Sequence, residues 1–159
     1  MDKETEILSF PEFFNETQFG TLFTDDSLSD KYALVFTFVS VKQKKDRTLI
    51  QKYEDLFHEL SKEFPSAGEK IQFLGLCSDT PMVLKKNFSK DKTFIPILIN
   101  PDKKTFQTIG ALNSFKVMNI KSSEPARQVF LVRPDKTIAW VWKNGSIPDP
   151  KTLKDLLDS

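Results

Sequence analysis

The hydrophobic residues of this chain form two kinds of pattern, continuous apolar runs and runs with helical spacing. Apolar runs rich in β-branched and aromatic residues are typical of strands buried on both faces of a sheet. They occupy residues 33–39, 71–77, 95–99, 129–132 and 138–142. The last two flank Pro134, Asp135 and Lys136, a turn-like sequence, so they predict a hairpin.

Helical spacing appears between these runs. Apolar residues recur at steps of three and four from Ile50 to Phe64, which predicts a helix from Asp46 that Pro65 and Gly68 end. Three further helices are predicted over residues 81–88, 103–112 and 150–157, the first preceded by the capping residues 78–80. Residues 1–32 predict short strands or docked loops, and residues 113–126 predict a mixed loop.

Strands that alternate with helices and end in a hairpin predict an α/β fold with a partly parallel sheet. Right-handed crossovers place helices on both faces of such a sheet. Ligand sites lie beyond the carboxyl ends of the strands. Three places therefore become candidates: the loop from Val39 to Asp46, the strand end at Cys77, and the strand start at Arg127.

Composition narrows the possible functions. A length of 159 residues predicts a single domain over residues 1–159. The 23 basic and 22 acidic residues nearly balance, which argues against a dedicated nucleic-acid or membrane-surface protein. We expect no membrane association and no cofactor or metal. The acidic start of the chain, Met1 to Glu6, and the lone Cys77 predict a reducing, cytoplasmic location.

Four segments resemble the peroxiredoxin and thiol-peroxidase family of the thioredoxin superfamily. They are Leu28 to Phe36, Ile71 to Asp79, Pro96 to Asp102 with the helix that follows, and Arg127 to Ile138. The resemblance implies a thioredoxin-like fold with a mixed central sheet and helices on both faces. It also implies a site for peroxide reduction at the end of the first central strand.

The family's catalytic motif, Pro-x-x-x-Thr-x-x-Cys, is degenerate here. An ungapped reading places Val39, Gln43 and Asp46 at the positions of the proline, the threonine and the cysteine. Only the family's active-site arginine has a counterpart, Arg127. Peroxide reduction needs a thiolate, and an aspartate cannot replace it. We hypothesise that Asp46 instead caps the following helix and pairs with Arg127.

Two functions follow. The favoured one is a pseudoenzyme without peroxidase activity that serves as a protein-binding or structural module, with a protein partner or as a homodimer. The alternative is a thiol-dependent antioxidant peroxidase that uses Cys77 with help from Arg127. For Cys77 itself, a buried hydrophobic role competes with a redox role. The basic segment from Lys42 to Arg47 is either a solvated face or an anion-binding loop.

Overall fold

The computed structural model describes residues 9–88, 94–100, 105–106, 109, 112–117, 120–143 and 145–158. The acidic start of the chain, Met1 to Glu6, lies outside these residues. The helices are α1 (Asp25–Leu28), α2 (Lys44–Glu63), α3 (Pro65–Glu69), α4 (Pro81–Phe88) and α5 (Pro150–Asp158). The strands are β1 (Phe14–Glu16), β2 (Leu22–Thr24), β3 (Tyr32–Thr37), β4 (Ile71–Cys77), β5 (Ile97–Ile99), β6 (Leu112–Val117), β7 (Ile120–Pro125), β8 (Val129–Val132) and β9 (Ile138–Trp142).

A mixed five-stranded sheet in the order β5-β4-β3-β8-β9 forms the centre of the fold. The pairs β3–β4 and β4–β5 are parallel, whereas β3–β8 and β8–β9 are antiparallel. All five predicted strands are present. This arrangement confirms the predicted thioredoxin-like α/β class and the hairpin of β8 and β9.

The central strands are continuously apolar because both faces of the sheet are covered. One core contains Tyr53 of α2, Leu84 of α4 and Leu153 of α5. The other contains Leu28 of α1 and Phe106, together with Phe10, Phe13 and Phe23 from the N-terminal region. The phenylalanine-rich start of the chain therefore covers one face of the sheet, and its short strands β1 and β2 pair with each other.

Residues 113–126, predicted as a mixed loop, instead contain an antiparallel pair. Strands β6 and β7 pair in register from Leu112 opposite Pro125 to Val117 opposite Ile120. A two-stranded ribbon outside the central sheet satisfies its backbone groups by pairing, so its sequence lacks the apolar run that identifies central strands.

The helix predicted over residues 103–112 is described only in part. Thr105 and Phe106 are helical, and the Ile109 N–H donates to the Thr105 carbonyl over 3.0 Å. Phe106 and Ile109 are buried as predicted. Leu112 belongs to β6, so the predicted helix end is wrong, and the remaining positions lie outside the described residues.

An ion pair fastens the N-terminal region to the β8–β9 turn. The Lys136 Nζ and the Phe13 N–H each lie 2.8 Å from Oδ1 of Asp25. Partial burial raises the pKa of Asp25, but the hydrogen bond from Lys136 and the one from Phe13 outweigh it, so the net pKa falls below its ordinary value.

We expect this pair to make folding stability depend on pH in acid. Because the folded-state pKa of Asp25 is depressed, its contribution is present above the unfolded value of 3.8 and is lost as the pH falls through the folded value. The free energy of unfolding, measured with urea, should fall between about pH 6 and pH 3. In Lys136→Met this fall should be smaller by about 0.5 kcal/mol. Lys62→Met, at an exposed position on α2, should leave the decline unchanged; an equal flattening would contradict the assignment.

Within the described residues, no helix is long and apolar enough to span a bilayer.

Candidate functional site

The candidate site lies at one edge of the central sheet, where β3 and β4 end, β8 begins and α2 starts. This is the edge that the sequence predicts, because parallel strands present their carboxyl ends together there. Asp46 comes from the first turn of α2 and Arg127 from the residue pair before β8. Cys77 is the last residue of β4.

Asp46 is completely buried, and both oxygens of its carboxylate accept hydrogen bonds. Its Oδ2 accepts hydrogen bonds from the backbone N–H groups of Val39 (3.1 Å) and Ser40 (3.0 Å). Its Oδ1 lies 2.7 Å from Nε of Arg127, and Oδ2 lies 3.2 Å from Nη2 of the same residue. The hypothesised pairing of Asp46 with Arg127 is therefore present.

The capping hypothesis for Asp46 is wrong. Helix α2 begins at Lys44, so Gln43 is the N-cap residue and Asp46 is the third helical residue. From that position the carboxylate turns back toward the preceding loop, where two N–H groups and a guanidinium surround it. An anion there is also favoured by the positive end of the helix.

Val39 and Gln43, which replace the motif's proline and threonine, both take part in this arrangement. The Val39 N–H is one of the donors to Asp46. A proline at this position has no N–H, so it would leave the carboxylate with one donor fewer. Gln43 accepts a hydrogen bond through Oε1 from Nη2 of Arg127 over 3.0 Å. The three replacements thus form one network around Arg127.

Thr37 fixes the backbone that carries Arg127. Its hydroxyl donates to the Ala126 carbonyl and accepts from the Gln128 N–H over 2.9 Å. The Thr37 N–H donates to the Gln128 carbonyl over 2.8 Å, which extends the β3–β8 pairing by one residue. The side chain of Arg127, with 22% of its surface exposed, is thereby directed toward Asp46.

Asp79 holds the loop between β3 and α2, a role that the sequence analysis missed. Its Oδ1 accepts from the Ser40 hydroxyl and its Oδ2 from the Val41 N–H, both over 2.8 Å. Thr80 supplies the predicted cap of α4 by accepting from the Val83 N–H over 3.3 Å. The sequence around Asp79 reads as a helix cap, so it gave no sign that the Asp79 carboxylate binds residues about forty positions earlier in the chain.

Cys77 is fully buried, as the hydrophobic interpretation predicted. It belongs to the same core as Phe38 and Val41, on the face of the sheet that α2 covers. Burial raises the pKa of the Cys77 thiol well above its ordinary value, and the negative charge of Asp79 adds to this increase. Burial therefore favours the protonated thiol over the thiolate at Cys77.

The structure does not place Arg127 against Cys77. Strand β3 separates β4 from β8 in the sheet. Cys77 ends β4 and Arg127 precedes β8, so the two residues lie at strands two spacings apart, about 10 Å for backbones in a sheet. Within the described residues, the hydrogen bonds of the Arg127 side chain go to Asp46 and Gln43.

A cavity of about 670 Å³ opens beside Arg127, between α2 and the segment that follows β9. Lys44 and Lys45 of the predicted basic loop line it. Arg47, at the end of that loop, instead donates through Nη1 to the Val41 carbonyl over 2.7 Å. Among the described residues, no group of three histidine, cysteine, aspartate or glutamate side chains could hold a metal ion.

Comparison with known proteins finds likeness in structure only. No protein-family model matches the chain, and no curated protein is similar to it in sequence. The bacterioferritin comigratory protein of Xanthomonas campestris, a protein with alkyl peroxide reduction activity, shares 15% identity and a TM-score of 0.72 over 99% of this chain and 96% of its own.

Two mycobacterial structures also match the fold over most of the chain. The peroxidoxin BcpB of Mycobacterium tuberculosis has 18% identity and a TM-score of 0.70 over 94% of each chain. AhpC of Mycobacterium tuberculosis has 19% identity and a TM-score of 0.64 over 95% of this chain and 91% of its own.

These likenesses correct the favoured expectation of a non-enzymatic protein-binding or structural module. Solved structures that match almost the whole chain include peroxiredoxins, and one of them has alkyl peroxide reduction activity. They favour the alternative from the sequence analysis, a thiol-dependent peroxidase. They also confirm the resemblance at the level of the fold: the chain has the thioredoxin-like fold of the peroxiredoxins.

Proposed function

We propose that this protein is a thiol-dependent peroxide reductase in which Cys77 is the reacting sulfur. The observation that carries the proposal is the peroxiredoxin fold over almost the entire chain. The sequence contains one cysteine, so any thiol chemistry of the chain runs through Cys77. Its position at the carboxyl end of β4, at the edge of the sheet that carries the candidate site, supports the assignment.

The reaction is a two-electron reduction of the peroxide. The Cys77 thiolate attacks one peroxide oxygen, the O–O bond breaks, and the departing alkoxide takes a proton to leave as an alcohol. Cys77 becomes a sulfenic acid. A thiol from outside the chain then displaces water to form a mixed disulfide, and a second thiol releases Cys77 in its reduced form.

The need for an external thiol bears on both the reaction partner and the cellular location of the protein. A sulfenic acid in a chain with one cysteine has no resolving cysteine of its own. The reductant is therefore a small thiol or a protein dithiol. In the second case, the protein that carries the dithiol is the expected protein partner. Such thiols stay reduced in the cytoplasm, which supports the expected cytoplasmic location.

Access to Cys77 limits this reaction. The thiol is fully buried, which also favours its protonated form, so the chain must open locally before the sulfur reacts. Arg127 enters the proposal as the group that holds Asp46. Because its guanidinium is held by the Asp46 ion pair, we assign it no contact with peroxide in this structure.

The test compares peroxide consumption by the wild type with that of Cys77→Ser and Cys77→Ala, in the presence of dithiothreitol. We expect wild-type turnover to be slow but above the uncatalysed rate, and to be abolished in both variants. A sulfenic-acid trap should add its mass at Cys77. Ser78→Ala, at the neighbouring position, should retain the activity. Wild-type consumption no faster than dithiothreitol alone, or equal rates in the cysteine variants, would overturn the proposal.

A further inference from the structure

The cavity beside Arg127 is strongly cationic. Lys44, Lys45 and Lys52 reach it from α2, Lys143 from the segment after β9, and Arg127 from the residues before β8. Two separate parts of the chain thus bring lysines to one concave surface, and Arg127, paired with Asp46, lies at its side. A single charged run along one helix could be a solvated face, but this convergence depends on the tertiary fold.

The positive charge of the lysines is not balanced by the cavity's own lining. No aspartate or glutamate is among the described residues that line it. Asp46 lies behind Arg127, fully buried, and neutralises that guanidinium. Lys44, Lys45, Lys52 and Lys143 form no ion pair with any described residue. Their mutual repulsion is therefore relieved only by ions from solution or by a bound anion.

Apolar surface lies between the charges. Leu49 of α2 and Ile147 contribute side chains to the lining, and Gln128 adds a neutral polar group. The cavity volume of about 670 Å³ falls in the range of small-molecule sites, well beyond the size of a single inorganic anion. The surface fits a ligand with an organic part and several negative charges.

We propose that this cavity binds a phosphorylated small molecule. Lysine ammonium groups form charge-assisted hydrogen bonds with phosphate oxygens. The organic part would lie against Leu49 and Ile147. A hydroperoxide carries no such charge, so the site is distinct from the proposed peroxide chemistry. Cys77 does not line the cavity.

The experiment is isothermal titration calorimetry with ATP and with inorganic pyrophosphate as probes. Wild-type protein should bind ATP saturably, with a Kd below about 1 mM at low salt, and should bind pyrophosphate more weakly because it lacks the organic part. Added salt should weaken both. The triple variant Lys45→Gln/Lys52→Gln/Lys143→Gln should raise the Kd for ATP at least about tenfold.

A matched control removes the same charge elsewhere. Lys62→Gln/Lys85→Gln/Lys86→Gln alters three exposed lysines that do not line the cavity, and its Kd should stay within about twofold of wild type. Cys77→Ser should also bind normally, so that this result is independent of the peroxidase assay. Absent saturable binding, pyrophosphate binding as tight as ATP, or equal weakening in the two triple variants would overturn the proposal.

Discussion

Asp46→Ala is expected to lower the free energy of unfolding by about 3 kcal/mol, measured by urea denaturation at neutral pH. The substitution removes a fully buried carboxylate that bonds to Arg127 and to the N–H groups of Val39 and Ser40. Arg127 would keep its charge in a largely buried position without its main partner. Breaking such a pair from one side costs more than the pair contributes when intact.

Two comparisons make this prediction specific. Asp55→Ala lies on the same helix and should change stability by less than about 0.5 kcal/mol. Its exposed carboxylate accepts from Gln51 over 3.1 Å and from no other described residue. A cycle of Asp46→Ala, Arg127→Ala and the double variant should give a coupling energy above about 1 kcal/mol. Additive single effects would show that the two side chains fold independently, contrary to the ion pair described above.

The pairing of Asp46 with Arg127 could be predicted from sequence, but the position of Asp46 in its helix and the backbone donors to its carboxylate could not. Counting along a family motif placed the two residues at one site. The helix boundary decided the rest, because α2 starts two residues before Asp46 and turns its carboxylate inward instead of onto the helix end. The donor role of the Val39 N–H likewise depends on a loop conformation that no local pattern encodes.

For the fold as well, elements with a local sequence pattern were predicted, whereas those that depend on distant partners were missed. Continuous apolar runs predicted the five central strands, because burial on both faces favours apolar residues at successive positions, although β9 is only partly buried. The β6–β7 ribbon was missed because backbone pairing outside the central sheet needs no such run. The anchoring role of Asp79 was missed because its partners, Ser40 and Val41, are distant in sequence, while its immediate neighbours form an ordinary helix cap.

Asp79→Ala should have the second large effect, and it reports on access to Cys77. The nearly buried carboxylate accepts two hydrogen bonds that hold the loop between β3 and α2. Hydrogen bonds to a charged group contribute about 1.5–3 kcal/mol each, so we expect a total loss near 3 kcal/mol. Because Phe38 and Val41 of this loop share the core of Cys77, the loss should favour local opening around the thiol.

Thiol labelling measures that opening. Each 1.4 kcal/mol removed from the opening free energy raises the open population about tenfold, so the variant should react with a thiol reagent at least about tenfold faster than wild type in native buffer. Removing the carboxylate also lowers the pKa of Cys77, which acts in the same direction, although burial remains the larger cause of its elevation.

Asp149→Ala separates loop opening from general destabilisation. Asp149 caps α5 by accepting from the Thr152 N–H over 2.8 Å, and its removal should cost about 1 kcal/mol. If labelling of Cys77 requires only the local opening, this variant should label at the wild-type rate. If Asp149→Ala instead labels about fivefold faster, in proportion to its own loss of stability, the sulfur is exposed by global unfolding. That result would contradict local access to Cys77 in the folded protein.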